Sequence, residues 1–243
     1  MTVYDTLIII PTYNEIANMK KMIPIVMGLD EKFALLVVDD GSPDGTAAYV
    51  EEQRSKFSGR IHLLNRGKKL GLGTAYVAGF QYALDHKFPY VCEMDADFSH
   101  DPNDLIRLVT GVRNGVADIL IGSRYCRGIS IINWPLSRLI LSYSANLYAR
   151  FVTGAKIMDM TAGFKCIRAE VLEKIDIKKI RSNGYAFQIE VHFRAFKAGF
   201  RIAEESIIFR EREEGVSKMS KSIVKEAMWR VWSLKMRSVF NLL

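Results

Sequence analysis

Asp39 and Asp40 close one apolar run of this 243-residue chain, Asp95 and Asp97 close another, and Glu15 follows a third that ends at Pro11. These are the residues best placed for chemistry. Tyr90–Pro102 contains no Lys or Arg that could neutralise Asp95 and Asp97. Two carboxylates one residue apart repel each other unless a cation lies between them. Carboxylate oxygens also suit a hard divalent ion that holds a substrate's phosphates. Asp95 and Asp97 are therefore expected to hold a metal. Asp39, Asp44 and Asp101 stand before turns and helix starts, where a carboxylate caps backbone N–H groups. Capping accounts for Asp44 and Asp101 without any ligand.

Basic residues form two further groups. Arg66-Gly67-Lys68-Lys69-Leu70-Gly71-Leu72-Gly73-Thr74 is a glycine-rich loop that matches neither a P-loop nor a full dinucleotide fingerprint. A phosphate cradle and a solvated basic turn both fit it. Late in the chain come Arg124, Arg138, Arg210, Arg212 and Lys218, able to supply the charge-assisted hydrogen bonds that phosphates need. Signs alternate through Arg210–Glu214, which also fits a solvated face. His62, His86, His100 and His192 lack metal-ligand spacing, and His100 reads as lining its loop. No Ser/His/Asp or Cys/His arrangement and no nucleophile elbow is present.

The elements that position these residues alternate. Thr6–Pro11, Ala34–Asp40, Arg60–Asn65, Tyr90–Met94 and Asp118–Tyr125 read as strands, the first two as runs buried on both faces. Helices are expected between them, to about Gly28 (capped by Asn14), to about Lys56, over Ala75–Lys87 and after Pro102. This rhythm predicts βαβ units, a mostly parallel sheet, and ligands at the strands' carboxyl ends. A long helix follows Trp134–Pro135 to about Val152. Its apolar side is Leu136, Ile140, Tyr143, Leu147 and Phe151; its polar side is Arg138, Ser142, Asn146 and Arg150. A strand at Lys165–Arg168, a helix around Gln188–Ala198, a strand at Arg201–Phe209 and a final helix at Ser220–Phe240 complete the chain.

Hydrophobic residues make up 49% of the sequence, enough for a sizeable core, and the net charge of +7 favours an anionic partner. Composition does not rank nucleic acid, a phosphorylated ligand and an anionic membrane. The positive charge is scattered, without the aromatic interleaving of a nucleic-acid surface, so nucleic acid is set aside. Cys92, Cys126 and Cys166 form no disulfide pattern, which predicts a reducing compartment. No signal peptide and no bilayer-spanning apolar run is read, so any membrane is expected to be met from the side.

Several motifs occur together in order: Pro11-Thr12-Tyr13-Asn14-Glu15, Val38–Thr46, Lys69–Tyr76, Met94–His100, Gly122–Tyr125, Trp134–Arg138 and Gly215–Lys218. Over about residues 5–220 the chain resembles the polyprenol-phosphate branch of glycosyltransferase family 2, the dolichol-phosphate mannose synthases. The resemblance implies an α/β fold of the GT-A type, with a mostly parallel central sheet flanked by helices. It implies residues 1–219 as the transferase domain and 220–243 as a basic amphipathic helix. The family's donor-binding positions map onto Pro11, Tyr13, Glu15, Val38 and Asp40, with Lys69 in the glycine-rich loop beside them. Its metal motif maps onto Asp95, Ala96 and Asp97, for Mg2+ or Mn2+. Its phosphate-contacting basic residues map onto Arg124, Arg138, Arg212 and Lys218. Asp97, Arg124 and Arg138 are the expected catalytic residues. Some relatives carry Gln where Ser99 stands, and Ser99 coordinates through water or not at all.

The implied reaction is inverting transfer of mannose from GDP-mannose to a polyprenyl phosphate. It takes place peripherally on the cytoplasmic face of a membrane, with a membrane-anchoring subunit as a further possible partner. A phosphate monoester is mostly dianionic at neutral pH, its second pKa being about 6, so no general base is required. Transfer of glucose or another sugar from a UDP-sugar remains open. A sugar nucleotidyltransferase would need a glycine-rich signature after the first strand, where Pro11-Thr12-Tyr13-Asn14-Glu15 stands instead. A non-catalytic membrane adaptor would not need the Asp95/Asp97 pair. The basic, Trp-bearing Ser220–Phe240 helix could lie in a membrane interface or pack on the core, and the Trp134–Val152 helix is a second lipid-facing candidate.

Overall fold

The computed structural model describes residues 4–57, 59–211 and 221–240. Strands β1 (Thr6–Thr12), β2 (Phe33–Asp39), β3 (Ile61–Asn65), β4 (Tyr90–Glu93) and β5 (Ile119–Ser123) alternate with helices α1 (Ile16–Leu29), α2 (Thr46–Lys56), α3 (Leu72–Asp85) and α4 (Asp104–Arg113). After β5 come β6 (Ile131–Ile132), α5 (Leu136–Thr153), β7 (Lys165–Arg168), α6 (Ala169–Lys174), a 3-10 turn (Ile177–Lys179) and α7 (Tyr185–Lys197). β8 (Ile202–Ser206), β9 (Phe209–Arg210) and α8 (Lys221–Val239) complete the order.

β1 and β2 are buried over almost their whole length, which is why they read as unbroken apolar runs. Alternate residues serve two cores. Leu7 and Ile9 join the core that also holds Tyr76, Phe80 and Phe187, whereas Ile8 and Ile10 join one with Met19, Ile23 and Leu108. The seven-stranded sheet has the order β3-β2-β1-β4-β7-β5-β8, and β6 pairs with β9 separately. All neighbours run parallel except β7, which lies antiparallel between β4 and β5. The carboxyl ends of β1, β2, β4 and β5 therefore share one edge with the start of β7.

Some boundaries shift for physical reasons. α3 begins at Leu72, ahead of the expected Ala75, and takes in Gly73. A Cβ on Gly73 would lie 2.7 Å from the Ser182 carbonyl oxygen, so only glycine lets the two segments cross. Asn14 does not cap α1: it is left-handed, with φ 63°. The Ile16 N–H donates instead to Asp44, at 3.0 Å, and Asp44 also accepts the Thr46 N–H at the start of α2. One carboxylate caps two helices.

α5 is inverted relative to a core-facing amphipathic helix. Its polar side faces inward: Asn146 is buried, and Ser142 accepts a hydrogen bond from Tyr125 Oη at 2.8 Å. Its apolar side is bare, with Leu136, Ile140, Tyr143, Leu147 and Phe151 all exposed and Phe151 84% so. α8 divides its faces: Val231 and Leu234 are buried, whereas Trp229, Trp232 and Met236 are exposed. Among the described residues no helix is long and apolar enough to cross a membrane.

Candidate active site

The loop after β4 carries Asp95 and Asp97. Asp95 accepts a hydrogen bond from Tyr76 Oη of α3 at 3.2 Å, and Asp97 accepts the Ser99 N–H at 3.1 Å. Burial and the charge of Asp97 push Asp95 up to about 7, against the opposing pull of Tyr76. Among the described residues no set of three His, Cys, Asp or Glu forms a metal cluster. Two hard-oxygen carboxylates that need a counter-charge would nevertheless suit a divalent ion such as Mg2+ or Mn2+.

The pH dependence follows in sign. The folded protein keeps the Asp95 proton up to about pH 7, whereas the unfolded chain releases it near 3.8. Without a cation, this group's contribution to stability is greatest below the unfolded value and is lost as pH rises through 7. A cation must displace that proton, so the gain in Tm on adding Mn2+ is expected to grow from pH 6 to 8. A gain independent of pH would contradict this description of Asp95.

Beneath the pair lies a buried ionic cluster. Lys165 of β7 is opposite Glu93 of β4 in register and ion-pairs with it at 3.2 Å. Gln188 of α7 donates to Glu93 at 2.7 Å and accepts from Lys165. Burial pushes Glu93 up and Lys165 down, and the charge of each opposes the shift of the other. Phe187, next to Gln188, stacks on Tyr76 with ring centroids 5.8 Å apart. α7 and α3 thus hold the loop from below.

A second part of this edge is built from β1, β2 and the glycine-rich loop. Asp39 is a turn organiser, accepting Thr12 Oγ1 at 2.9 Å and the Ser42 N–H at 2.8 Å. Asp40 faces the glycine-rich loop and accepts Arg66 Nε at 2.6 Å and the Leu70 N–H at 3.3 Å. Gly41 permits this closeness, since a Cβ there would lie 2.7 Å from the Gly67 backbone. Lys69 Nζ sits 4.2 Å above the Tyr13 ring. Pro11 and Val38 are register partners, and Val38 lies wholly in the core. Ala96 is buried as well. Glu15 accepts Asn18 Nδ2 at 2.7 Å.

Arg124, just beyond β5, is buried against Asp159, donating Nε at 2.7 Å, Nη2 at 2.6 Å and its backbone N–H at 3.0 Å. Burial opposes its charge, but Asp159 outweighs burial and holds the guanidinium above the ordinary arginine value. Asp159 is fixed in turn, because Glu204 accepts its N–H at 2.9 Å. Arg138 ion-pairs with Glu211 and lies 4.0 Å over the Trp134 ring. Both arginines line an apolar cavity of about 270 Å³ between α5, α7 and α8, with Tyr148, Tyr185 and Val231 on its walls. Burial draws His100 down to about 4, so it is neutral, stacked on Phe164 at 4.8 Å as a lining residue. Arg210 reaches this edge through its backbone N–H, which donates to the Ser99 carbonyl at 3.1 Å. Arg212 and Lys218 lie outside the described residues.

The structure thus gathers Asp95, Asp97, Arg124 and Arg138 at one edge, with Asp40, Tyr13 and Lys69 around the ends of β1 and β2 and the glycine-rich loop. Tyr76, Glu93, Asp159, Lys165 and Gln188 were not singled out from sequence. Glu93 and Lys165 did carry a signal, since a charged residue within an apolar strand must find a buried partner.

The Glycosyl transferase family 2 pattern matches residues 7–176. A polyprenol monophosphomannose synthase of Mycolicibacterium smegmatis is 48% identical over 234 residues, 96% of this chain and 88% of that protein. An undecaprenyl-phosphate mannosyltransferase of Micrococcus luteus is 44% identical over 233 residues, 95% of each chain. Among solved structures, glucosyl-3-phosphoglycerate synthase of Mycobacterium tuberculosis with Mn2+, UDP and glucosyl-3-phosphoglycerate superposes with TM-score 0.66 at 17% identity, over 97% of this chain and 79% of that one. At that identity it supports the fold alone, which is GT-A. With the family pattern across most of its length and relatives at this level of identity, the chain belongs to glycosyl transferase family 2 and is a glycosyltransferase.

Proposed function

We propose that this protein transfers mannose from GDP-mannose to the phosphate of a polyprenyl phosphate, with inversion at the anomeric carbon. The observation that carries the acceptor is the apolar cavity with Arg124 and Arg138 on its wall. An anionic head with an apolar tail matches that combination, and both relatives are named for prenyl-phosphate chemistry.

Asp95 and Asp97 would hold a divalent cation, which supplies charge neutralisation for the leaving nucleoside diphosphate. Arg124 and Arg138 bring the acceptor phosphate against a second anion, a task of charge and positioning. Arg124 arrives preset, since Asp159 fixes its guanidinium plane before any ligand binds. Arg138 must exchange Glu211 for the phosphate, which ties acceptor entry to the segment that follows β9. Arg212 and Lys218 of that segment are proposed to complete the phosphate contacts. The acceptor oxygen attacks C1, the bond from C1 to the diphosphate breaks, and no proton needs to be removed from a dianionic phosphate. Tyr13, Lys69, Pro11, Glu15 and the backbone of Val38 frame the donor nucleoside, with Asp40 shaping the loop over it.

The bare stripe of α5 and the exposed tryptophans of α8 form the membrane-facing side, with 220–243 as the docking helix. That stripe spans about 23 Å at the usual helical rise, enough to lie along an interface. The cysteine usage supports a reducing compartment, and with it the cytoplasmic face of the membrane. Donor identity is tested by melting the protein with Mn2+ and each nucleotide. GDP at about 100 times its Kd is expected to add about 2.7 kcal/mol of stability, with UDP adding far less. A larger gain with UDP would favour a UDP-sugar donor.

A further inference from the structure

We propose that Tyr76 is a positioning residue of the metal site: its hydroxyl holds Asp95 by one carboxylate oxygen and leaves the other for the cation. This rests on the reading that Asp95 and Asp97 hold a divalent ion, and it concerns what sets the affinity for that ion.

Tyr76 is wholly buried on α3. It stacks on Phe187 with an interplanar angle of 9° and on Phe80 with ring centroids 6.4 Å apart. Both neighbours are phenylalanines, so a third would fill the same core. What tyrosine adds is a hydroxyl, which is costly to bury without a partner. That hydroxyl donates to Asp95 Oδ1 at 3.2 Å. Burial and the charges of Asp95 and Glu93 push the phenol well above its ordinary value, so it remains a donor. Among the described residues this is the one hydrogen bond that the Asp95 carboxylate accepts. Asp95 Oδ2 lies beside Gly163, where a Cβ would come within 3.9 Å of it. Oδ2 is the oxygen left for an ion.

The hydroxyl reaches Asp95 from outside its loop, whereas the Ser99 N–H that Asp97 accepts belongs to the loop itself. It is also held from both sides. At Gly79, α3 packs so closely on β1 that a Cβ would lie 2.7 Å from the Ile9 side chain. On the other side Phe187 stacks on Tyr76, its neighbour Gln188 donates to Glu93, and Glu93 stands two residues before Asp95. The path Asp95–Tyr76–Phe187–Gln188–Glu93 thus returns to the strand it left. A carboxylate fixed in this way needs little ordering when an ion arrives. Outer partners of ligating groups typically account for about 10–100-fold in metal affinity.

The test measures Mn2+ binding by the full chain at pH 8, with free Mn2+ followed by its EPR signal, alongside thermal melts. Tyr76→Phe removes the hydroxyl and keeps the ring in its space. It is expected to weaken Mn2+ binding by at least about tenfold. Its Tm without cation is expected to fall by no more than about 4 °C, the usual scale for one lost hydrogen bond. Phe80→Leu loosens the same stack and leaves the hydroxyl in place. It is expected to lower Tm and to bind Mn2+ as wild type does. Wild-type affinity in Tyr76→Phe would make the hydroxyl a feature of core packing alone and overturn the proposal. Equal losses of affinity in Tyr76→Phe and Phe80→Leu would assign the effect to the stack and overturn it too. No Mn2+ binding by wild type would overturn the metal reading, and this inference with it.

Discussion

Asp97→Ala is expected to lower kcat/KM for sugar transfer by at least about 10³-fold, the upper range for removing one charge-stabilising group from an active site. Its Tm without added cation, at pH 8, is expected to stay close to that of wild type. The reason lies in the pair. Asp97 forms a hydrogen bond with the Ser99 N–H, worth about 1 kcal/mol. Against that, it repels Asp95 strongly enough to help push that carboxyl up to about 7. Removing Asp97 relieves the repulsion, which offsets the contacts the loop loses, while a cation held there would lose one of two carboxylates. The same variant should lose the pH-dependent gain in Tm from Mn2+. Thermal melts with and without Mn2+, together with an activity assay, separate the outcomes. A variant that stays active, or that melts far below wild type without cation, would mean that Asp97 serves the loop rather than a metal.

Asp159→Ala is expected to be the most damaging substitution for the fold, by about 3–5 kcal/mol, because it strands a buried guanidinium. Asp159 receives three hydrogen bonds from Arg124, and Glu204 behind it holds the loop. Activity should fall with it, since Arg124 would no longer be held in one plane. Asp159→Asn separates the two effects. It keeps most of the shape and some of the hydrogen bonds, and should fold while raising the KM for the acceptor more than for the donor. Denaturant unfolding of both variants gives the stability loss, and acceptor titration of the Asn variant gives the positioning effect. Equal rises in both KM values would contradict a role on the acceptor side.

Much of this architecture is legible in sequence because the strands are buried on both faces. Ile8–Ile10 and Leu35–Val38 have no solvent-facing side, so they appear as unbroken apolar runs that end where the carboxylates begin. Asp95 and Asp97 could be recognised because no Lys or Arg stands near them in sequence, and in the fold the cation that acts on Asp95 is Lys165, from β7. What was not legible depends on distant segments meeting. Arg124 meets Asp159 thirty-five positions on, and α1 is capped by Asp44 twenty-eight positions away. β7 reads as an ordinary strand, and only its insertion between β4 and β5 brings Lys165 to Glu93. The inverted face of α5 has the same periodicity as a core-facing helix. Periodicity shows that two faces differ without saying which one meets the protein.

Asp40 shows how a residue can be rightly placed and still differ in role. It stands at the expected strand end, yet its carboxylate engages Arg66 and the Leu70 N–H. It thereby holds the glycine-rich loop against the end of β2, with Lys69 over Tyr13.

The most direct measurement is transfer of labelled sugar by the purified protein in liposomes that contain a polyprenyl phosphate and Mg2+. Label is expected to move from GDP-mannose into the lipid fraction, only with cation and acceptor present, and to be linked with inverted anomeric configuration. Absence of transfer from any nucleotide sugar, or transfer with retained configuration, would contradict the account.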